Sequence, residues 1–564
     1  MADGYVFYEI ALLLALAAAI GLVGHLLKQP LVVAFIATGI VAGPDVLGIV
    51  HDAEHIELLA EIGIAVLLFL VGLKLDFQVI RSLGTVSLAT GLGQVGFTAI
   101  VGYFICLALG LDHVTSLYIA VALTFSSTII IVKLLSDKRE VDSLHGRIAI
   151  GFLIVQDIVV VFAMIVLSTL GVGATGSPAG LGIGGTLVAG VVLVGAVALF
   201  IRYGAERLLK HISGVPELLV TFALAWAVFF AALCDVIGLG KELGGLIAGV
   251  SLASTSYREA IASRLSSLRD FLLLFFFVAL GSALRLGTLG DQVFPAIVLS
   301  AFVLIGNPLI VLIIMGVLGY RKRIGFFAGL TVAQISEFSL IFMAMGVALG
   351  HVAGESIGLV TLVGLVTITL STYMILYSQR LYAVFEPLIG WAERRDPYRE
   401  REEHVAEGES VDVILFGVGR YGREIAKVLH GQGLSIVGVD FDPEALERWR
   451  KRGLPGIYGD ALDPEFPASL PLSSARWAVI ATPPPERMGV THDDNRIVVI
   501  QALREAGFSG RIAVRSHDPV DARHLSRAGA DIILQPFAEA AERAGERMAE
   551  IDARGEPAPV VGVA

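Results

Sequence analysis

The stretch GFLIVQDIVVVF, residues 151–162, places one carboxylate, Asp157, in the middle of a long apolar run. The chain around it has 564 residues, and 55% of them are hydrophobic. About 20 apolar residues are enough to cross the hydrocarbon core of a bilayer. Such stretches follow one another from Tyr5 to Tyr377, whereas the chain from Ala392 onward is charged. The sequence therefore predicts a polytopic membrane domain followed by a soluble domain.

Hydropathy predicts the number of spans, and the charges of the loops predict their orientation. Lysine and arginine collect on one side of the predicted bundle, which the positive-inside rule places in the cytoplasm. We therefore expect an inner (plasma) membrane protein of a prokaryote, with the N-terminus outside and the C-terminal domain cytoplasmic. The thirteen candidate spans are roughly 5–27, 30–48, 56–75, 84–110, 116–135, 146–171, 181–203, 216–234, 236–255, 270–286, 293–318, 324–349 and 355–378.

The same patterns predict four segments along the chain. They are a membrane domain over 1–385, a charged linker over 386–410, a nucleotide-binding domain over 411–550 and a tail over 551–564. The formal net charge of −11 shows no basic footprint for nucleic acid, so none is expected as a partner. The partners expected from composition are the lipid bilayer and small ions.

A weak internal repeat relates the two halves of the membrane domain. An offset of about 207–210 residues aligns FIATGIVAGP (35–44) with GLIAGVSLAS (245–254), and LLFLVGLKL (67–75) with FFVALGSAL (276–284). The offset equals seven spans, an odd number, so the copies are expected in opposite membrane orientations. Inverted repeats are typical of secondary transporters, although chance similarity among apolar segments is the alternative.

The repeat also pairs two polar clusters in the fifth and twelfth spans. Transporters use discontinuous helices at matching positions to line an ion site near the midplane, so two crossed, broken helices are predicted here. Helix packing through small polar residues is the alternative for the serines and threonines. The clusters are Thr124, Ser126, Ser127 and Thr128 in the first copy, and Gln334, Ser336 and Glu337 in the second.

Asp157 is the strongest candidate for an ion-binding residue, because carboxylates inside a membrane are costly and usually functional. Burial favours its protonated form, whereas a bound cation favours its ionised form, so one group can exchange the two. Gln156 supplies a neutral carbonyl ligand. No basic residue is placed well inside a span, and pairing for packing alone is the alternative for Asp157. Among the weaker candidates, Asn307 is placed mid-span, Glu337 is an ion-path or structural carboxylate, and Glu61 and Gln94 are placed near span ends.

The segment VDVILFGVGRYGREIAKVLHGQGLSIVGVDFDP, residues 411–443, begins the soluble domain. A strand, a glycine-rich turn, a helix and an acid at the end of a second strand form a dinucleotide-binding fingerprint. A third strand is expected near Asp460, and WAVIATPPP, RIAVRSHD and DIILQP predict further strands. The expected nucleotide contacts are Gly417, Gly419, Arg420, Tyr421, Gly422, Asp440 and Asp460. A Rossmann fold without nucleotide binding is the alternative.

Several of these stretches together resemble one family. SST (126–128), GRIAIGFLIVQDI (146–158), GLGKELGGLIAGVSLAS (238–254), FFFVALGSAL (275–284) and AQISEF (333–338) are similar to monovalent cation:proton antiporters of the Kef type. The series GVGRYG…VDFDP…YGDA resembles the RCK (TrkA-N-like) domains of potassium channels and Kef systems.

The resemblance implies a thirteen-helix antiporter fold, in which a mobile core carries the ion past a dimerisation domain by an elevator movement. The family's glutamine–aspartate pair falls on Gln156 and Asp157, which implies potassium as the main cation. It also implies a homodimer through the membrane and RCK domains, and AMP, NAD(H) or ATP as a regulatory ligand. The family's broken-helix residues fall on Thr124, Ser126, Ser127 and Thr128. Many relatives have a lysine at the position of Asn307, so a basic partner for Asp157 is missing.

Three functions are weighed. The first is a potassium:proton antiporter regulated by nucleotide, with sodium as the alternative cation and Asp157 as its ligand. The second is a nucleotide-gated potassium efflux channel, which the absence of a TVGYG-like filter disfavours. The third is a membrane-anchored oxidoreductase or sensor. It is disfavoured because the residues after the Rossmann unit only complete its sheet, so the chain is not expected to be an enzyme.

Overall fold

The computed structural model describes residues 3–50, 53–74, 84–138, 140–141, 143–170, 183–212, 214–284, 289–394, 411–440, 443–459, 461, 466–482, 494–516 and 519–554. The chain divides into two compact units. The first comprises Met1–Leu134, Ile148–Val317 and Lys322–Ala392. The second comprises Leu135–Arg147, Leu318–Arg321 and Glu393–Ala564.

Among the described residues of the membrane part, every secondary-structure element is a helix, because in lipid a helix satisfies every backbone hydrogen bond within one segment. In chain order its helices are α1 (Asp3–Leu26), α2 (Leu31–Ala42), α3 (Ala53–Lys74), α4 (Thr85–Ala108), α5 (His113–Ala122), α6 (Thr128–Asp137), α7 (Leu144–Leu170), α8 (Ile183–Tyr203), α9 (Ala205–Ile212), α10 (Pro216–Ile237), α11 (Lys241–Leu252), α12 (Arg258–Ser282), α13 (Leu289–Ala301), α14 (Asn307–Val317), α15 (Lys322–Leu330), α16 (Glu337–Ala348), α17 (Gly354–Leu376) and α18 (Ser378–Ile389).

Within the described residues, eight helices are long and apolar enough to cross a membrane, or nine if the bent pair α8–α9 is one span. Each of the thirteen predicted spans contains helical residues. The remaining predicted spans are too short as single helices for one of two reasons. Either the helix has only 12 residues, as α2 and α11 do, or it is interrupted in its middle.

Two helices are interrupted at the positions that the repeat predicts. Residues 123–127 separate α5 from α6, and residues 331–336 separate α15 from α16. Thr331, at the start of the second break, lies 207 residues after Thr124 in the first. Rings on α5 and α16 contact each other, as the Tyr118 and Phe342 centroids, 5.5 Å apart, show. The predicted pair of discontinuous helices is therefore confirmed.

The helices of the membrane part form two groups. In one, α2 and α3 pack against α11 and α12, with α1 and α10 alongside. In the other, α4, α5, α13, α14, α15, α16 and α17 pack on one another. Small residues allow the closest approaches in the first group, as is common for helices in lipid. A Cβ on Gly249 of α11 would lie 2.0 Å from the carbonyl oxygen of Phe69 on α3.

The soluble part is a parallel sheet flanked by helices, as the alternation of strands and helices in the sequence predicts. Its strand order is β3-β2-β1-β4-β5-β6, so the sheet is wound in both directions from β1 and β4. The strands are β1 (Val413–Phe416), β2 (Ile436–Asp440), β3 (Gly456–Tyr458), β4 (Trp477–Ile480), β5 (Arg511–Arg515) and β6 (Ile532–Leu534). The helices are α19 (Arg420–Gly431), α20 (Pro443–Arg450), α21 (Asn495–Glu505), α22 (Pro519–Arg527) and α23 (Pro536–Arg554). Every predicted strand is present.

Candidate functional site

The first candidate site lies where the break between α5 and α6 passes beside α7. Thr128, the first residue of α6, donates a hydrogen bond from Oγ1 to Oδ2 of Asp157 over 3.0 Å. The backbone N–H of Ser126 donates to Oε1 of Gln156 over 3.3 Å. Gln156 is fully buried, whereas Asp157 is only partly buried. A carboxylate, a hydroxyl and an amide carbonyl therefore meet at one interrupted helix.

The four polar residues of this break do different things. The hydroxyl of Thr124 donates to the carbonyl oxygen of Val121 over 2.7 Å, within its own turn. Oγ of Ser127 accepts from the N–H of Ile130 over 3.4 Å at the start of α6. Oγ of Ser126 is buried, with no hydrogen-bond partner among the described residues. The structure thus brings Ser126 and Thr128 to the glutamine–aspartate pair, whereas the side chains of Thr124 and Ser127 bind local backbone.

A carboxylate at the second break, that of Glu337, acts electrostatically on Asp157 at the first break. Glu337 is 5% exposed, begins α16 and lies within range of electrostatic interaction with Asp157. Oγ of Ser336 donates to its Oε2 over 3.3 Å and accepts from the N–H of Phe338. Gln334 accepts from Ser371 of α17 over 2.8 Å, and its Nε2 has no partner among the described residues.

The absence of a basic partner for Asp157 stays a prediction, although one lysine acts on its carboxylate through electrostatic interaction. Lys74, the last residue of α3, lies within range of electrostatic interaction with Asp157. Arg269 interacts with Lys74 in turn, and its guanidinium pairs with Asp270 over 2.7 Å. Arg269 is buried inside α12, which begins at Arg258 and not at residue 270. Hydropathy detects the apolar end of that helix but not its polar beginning.

Two residues, Gln94 and Thr98, were not predicted to belong to this region, because Gln94 was placed near a span end and Thr98 was not singled out. Both are fully buried in the interior of α4, so the placement of Gln94 near a span end is wrong. Gln156 donates from Nε2 to Oε1 of Gln94 over 2.7 Å, and Gln94 donates to Thr98 over 3.1 Å. Thr98 donates to Oδ1 of Asn307 over 2.6 Å. The four-residue spacing of Gln94 and Thr98 on an apolar helix was the available signal, since it places both on one face.

Asn307 connects this chain of hydrogen bonds to the second break. It follows a π-helical turn, Phe302–Gly306, that links α13 to α14. Such turns are frequent at functional sites. Nδ2 of Asn307 donates to the carbonyl oxygen of Val332 over 3.4 Å. The buried amide of Asn307 therefore joins the two interrupted helices through neutral groups.

The second candidate site lies in the soluble unit, at the turn between β1 and α19. Gly417 has φ +88°, a conformation that favours glycine, and a Cβ there would press on Thr482 after β4. A Cβ on Gly422 would lie 2.0 Å from the carbonyl oxygen of Gly417, so the turn packs closely on the helix. A Cβ on Gly419 would meet nothing within 4 Å. The turn thus leaves open space at the N-terminus of α19, where phosphates bind in such folds.

The acid at the end of β2 lies at this turn. Oδ2 of Asp440 accepts a hydrogen bond from the N–H of Val418 over 2.9 Å. A carboxylate in this position suits the ribose hydroxyls of a nucleotide whose phosphates rest on the glycine turn. The residues present therefore fit the phosphates and ribose of a nucleotide. Asp460, the remaining acid of the predicted set, lies outside the described residues.

An arginine and a tyrosine flank the turn on the β5 side. The guanidinium of Arg515 lies 5.2 Å from the ring centroid of Tyr421, which is a cation–π distance. Burial lowers the pKa of Arg515, and Tyr421 partly offsets this, whereas Arg496 and Arg420 lower it further. Its Nε is buried without a hydrogen-bond partner among the described residues. Tyr421 was in the predicted set, and Arg515 adds a cation at the same edge of the sheet.

Comparisons with known proteins identify the families to which the membrane part and the soluble part are similar. Residues 11–376 match the family model described as sodium/hydrogen exchanger, transmembrane, and residues 413–536 match the TrkA-N domain. The chain is 27% identical over 523 residues to a putative K(+) efflux antiporter, KefB, of Alkalimonas amylolytica, covering 91% of this chain and 76% of that one. It is 24% identical to a putative cation/proton antiporter, YbaL, of Escherichia coli (strain K12), covering 92% and 93%.

Solved structures give more distant similarities. The sodium proton antiporter MjNhaP1 of Methanocaldococcus jannaschii is 15% identical, with a TM-score of 0.44, over 69% of this chain and 98% of that one. The TrkA-N domain of the inner membrane protein YbaL from Escherichia coli is 19% identical, with a TM-score of 0.21, over 25% and 97%. The family model covers well over half of the chain. The chain therefore belongs to the transmembrane sodium/hydrogen exchanger family, the membrane cation:proton antiporters, and carries a TrkA-N domain in its C-terminal part.

Proposed function

We propose that this protein exchanges potassium for protons, with cation and proton competing for the carboxylate of Asp157. The observation that carries the proposal is the hydrogen bond from Thr128, at an interrupted helix, to Asp157, beside the carbonyl oxygen of Gln156. Oxygen ligands from a carboxylate, a hydroxyl and an amide suit a monovalent cation that has lost its water. The names of relatives as K(+) efflux antiporters support potassium as the cation.

Competition follows from the charge of the site. An ionised Asp157 attracts a cation, whereas a protonated one offers only a neutral oxygen, so one occupant displaces the other. Gln156 and Asn307 cannot titrate, and this leaves Asp157 as the carboxylate at the first break. Lys74 would balance the charge of Asp157 when neither cation nor proton is bound, and Glu337 would add to the field that attracts cations.

An elevator movement is the proposed means of alternating access. The division of the helices into two packed groups supports it, because α5 of the first interrupted helix and α15 and α16 of the second belong to the same group. That group would carry the site across the membrane while the group containing α3 and α12 stays fixed. We further propose a homodimer, with the N-terminus outside and the TrkA-N domain in the cytoplasm.

The TrkA-N domain is proposed to regulate transport by binding an adenine nucleotide, with AMP, NAD(H) and ATP as candidates. The open space at Gly419 and the carboxylate of Asp440 support this. Two solved structures of GsuK, the first named as a channel, are described as bound to NAD and as bound to ADP. The nucleotide would be a regulatory ligand and not a substrate.

The test is cation-dependent proton flux in proteoliposomes loaded with a pH-sensitive dye. Potassium should drive proton movement in wild type, and Asp157→Asn should abolish it. Glu355→Gln, which neutralises an exposed carboxylate in the first turn of α17, is the matched control and should transport normally. Exchange that survives in Asp157→Asn would refute the proposed site, and exchange driven by sodium but not potassium would refute the proposed cation.

A further inference from the structure

A chain of four buried side chains connects the two interrupted helices, and the proposed ion site uses only one end of it. Starting at the first break, each group donates to the next: Ser126 N–H to Gln156, Gln156 to Gln94, Gln94 to Thr98, Thr98 to Asn307, and Asn307 to the carbonyl of Val332. All four residues that supply these side chains are 0% exposed, and Ser126 is 1% exposed. We call the set Gln156, Gln94, Thr98 and Asn307 the amide relay.

The direction of the amide relay is determined at both ends by the backbone. A backbone N–H such as that of Ser126 can only donate, and a carbonyl such as that of Val332 can only accept. If the amide of Gln94 were turned over, its NH₂ would face the NH₂ of Gln156, and two donors would meet without an acceptor. The hydrogen-bond network therefore selects one orientation for every amide in the chain.

That orientation points the carbonyl oxygen of Gln156 toward the first break, where the proposed cation would bind. Alone, the amide could turn by half a revolution and present its NH₂ there, and the partial positive charge of that group would repel a cation. Buried polar groups that are fully satisfied are held in one arrangement, because each lost hydrogen bond leaves a partner unpaired.

We infer that Gln94 and Thr98 are positioning residues for ion binding, which hold the carbonyl oxygen of Gln156 toward the ion site through a relay anchored at Asn307. This inference rests on the proposed function, since it assumes that a cation binds beside Asp157. Thr98 is the critical link. Its hydroxyl accepts from Gln94 and donates to Asn307, so one oxygen joins the two halves of the relay.

The test separates cation affinity from turnover in proteoliposomes at fixed pH. Thr98→Val keeps the shape but removes the hydroxyl, and it should raise the half-saturating potassium concentration about tenfold while the maximal rate changes by less than about twofold. Thr98→Ser restores the hydroxyl and should return the half-saturating concentration to near the wild-type value. A merely structural role would instead lower the maximal rate or the amount of folded protein.

Thr90→Val is the matched control on the same helix. Thr90 is also fully buried, but within the described part of the chain its hydroxyl bonds to the sulfur of Met315, 3.7 Å away, and not to the amide relay. This variant should keep the wild-type potassium dependence. An unchanged half-saturating concentration in Thr98→Val, or an equal rise in Thr90→Val, would overturn the inference.

Asn307→Leu breaks the amide relay at its other end and keeps the test decisive if Thr98→Val does not fold. It should raise the half-saturating potassium concentration by a similar factor. The double variant should be no worse than either single one, because both changes interrupt the same chain. Full additivity would contradict a shared relay. If the wild-type protein exchanges no cation for protons, the proposed function itself is refuted. If the wild-type protein exchanges normally and Thr98→Val does not alter the exchange, only the inference about the amide relay is refuted.

Discussion

At the scale of single residues, the proposed ion site combines one charge with several neutral oxygens. Asp157 is the carboxylate at the first break, where it accepts a hydrogen bond from Thr128, and the carbonyl oxygen of Gln156 accepts one from Ser126 at the same break. Lys74 and Glu337 act on Asp157 only through electrostatic interaction, with opposite signs. The electric field at the site therefore depends on charged residues of α3, α7 and α16, although the direct hydrogen bond joins α6 to α7.

Thr128→Val tests the hydroxyl at this site. Hydrogen bonds to charged groups contribute about 1.5–3 kcal/mol, so losing this one should raise the half-saturating cation concentration by about tenfold or more. Potassium titrations of proton flux measure it. Thr361→Val is the control, because the hydroxyl of the buried Thr361 donates to the carbonyl of Ile357 in its own helix. Equal potassium dependence in the two variants would contradict a role for Thr128 in cation binding.

At the scale of elements, glycines determine how closely the helices of the first group approach. Gly72 on α3 and Gly249 on α11 lie face to face, and Gly39 on α2 and Gly281 on α12 form a second such pair. The sequence segments that contain these four glycines are the ones that the internal repeat aligned. Close contact between backbones is the physical reason why small residues recur at these positions.

Gly249→Ala should destabilise the membrane part. Its added Cβ would lie 2.0 Å from the carbonyl oxygen of Phe69 and 2.8 Å from the backbone nitrogen of Leu73, so α3 and α11 would have to separate. Overpacking of this kind costs about 1–3 kcal/mol. The melting temperature of detergent-solubilised protein, followed by size-exclusion chromatography, measures the effect. Gly96→Ala on α4 is the control, because a Cβ there meets nothing within 4 Å. Equal melting temperatures would refute the close packing.

At the scale of the whole molecule, a membrane antiporter part and a TrkA-N domain occur in one chain. Each has its own hydrophobic core, and a core cluster of the soluble unit contains in-register residues of β1, β2, β4 and β5 that share one face of the sheet. A chain of this composition can couple transport to the nucleotide state of the cell if ligand binding to one part changes the activity of the other.

Gly419→Val should weaken nucleotide binding to the TrkA-N domain without abolishing transport by the membrane part. Gly419 has φ −64° and open space around its Cβ position, so valine should fit without strain. Its side chain should then occupy the open space at the N-terminus of α19 where the nucleotide is proposed to bind. Nucleotide binding, measured by calorimetry with AMP, ATP and NADH on the full-length protein, should weaken by at least about tenfold. Basal potassium-dependent proton flux should persist, but its response to nucleotide should disappear.

Gly431→Val is the matched control for that experiment. Gly431 ends α19, and a Cβ there also meets nothing within 4 Å, but it is a helix length away from the turn. This variant should bind nucleotide as wild type does. Retained nucleotide response in Gly419→Val would mean that the glycine turn is not the regulatory site.

The sequence by itself determined the features that arise from local chemistry. Apolar length predicts membrane segments, the glycine turn and its strands predict the Rossmann sheet, and the polar clusters at one offset predict both helix breaks. These signals are readable because each depends on residues that are neighbours along the chain. The assignment of Gln156 and Asp157 to one site also follows from adjacency.

Only the tertiary structure decided which distant residues meet. Gln94 and Thr98 have no separate sequence signal strong enough to join them to Asn307, more than two hundred residues away, yet all are buried in one hydrogen-bond chain. The sequence places Lys74 at the end of a span among the loop cations, but Lys74 lies within range of electrostatic interaction with Asp157. Such contacts depend on how helices pack, and packing brings together side chains whose separation in sequence carries no information about their distance in space.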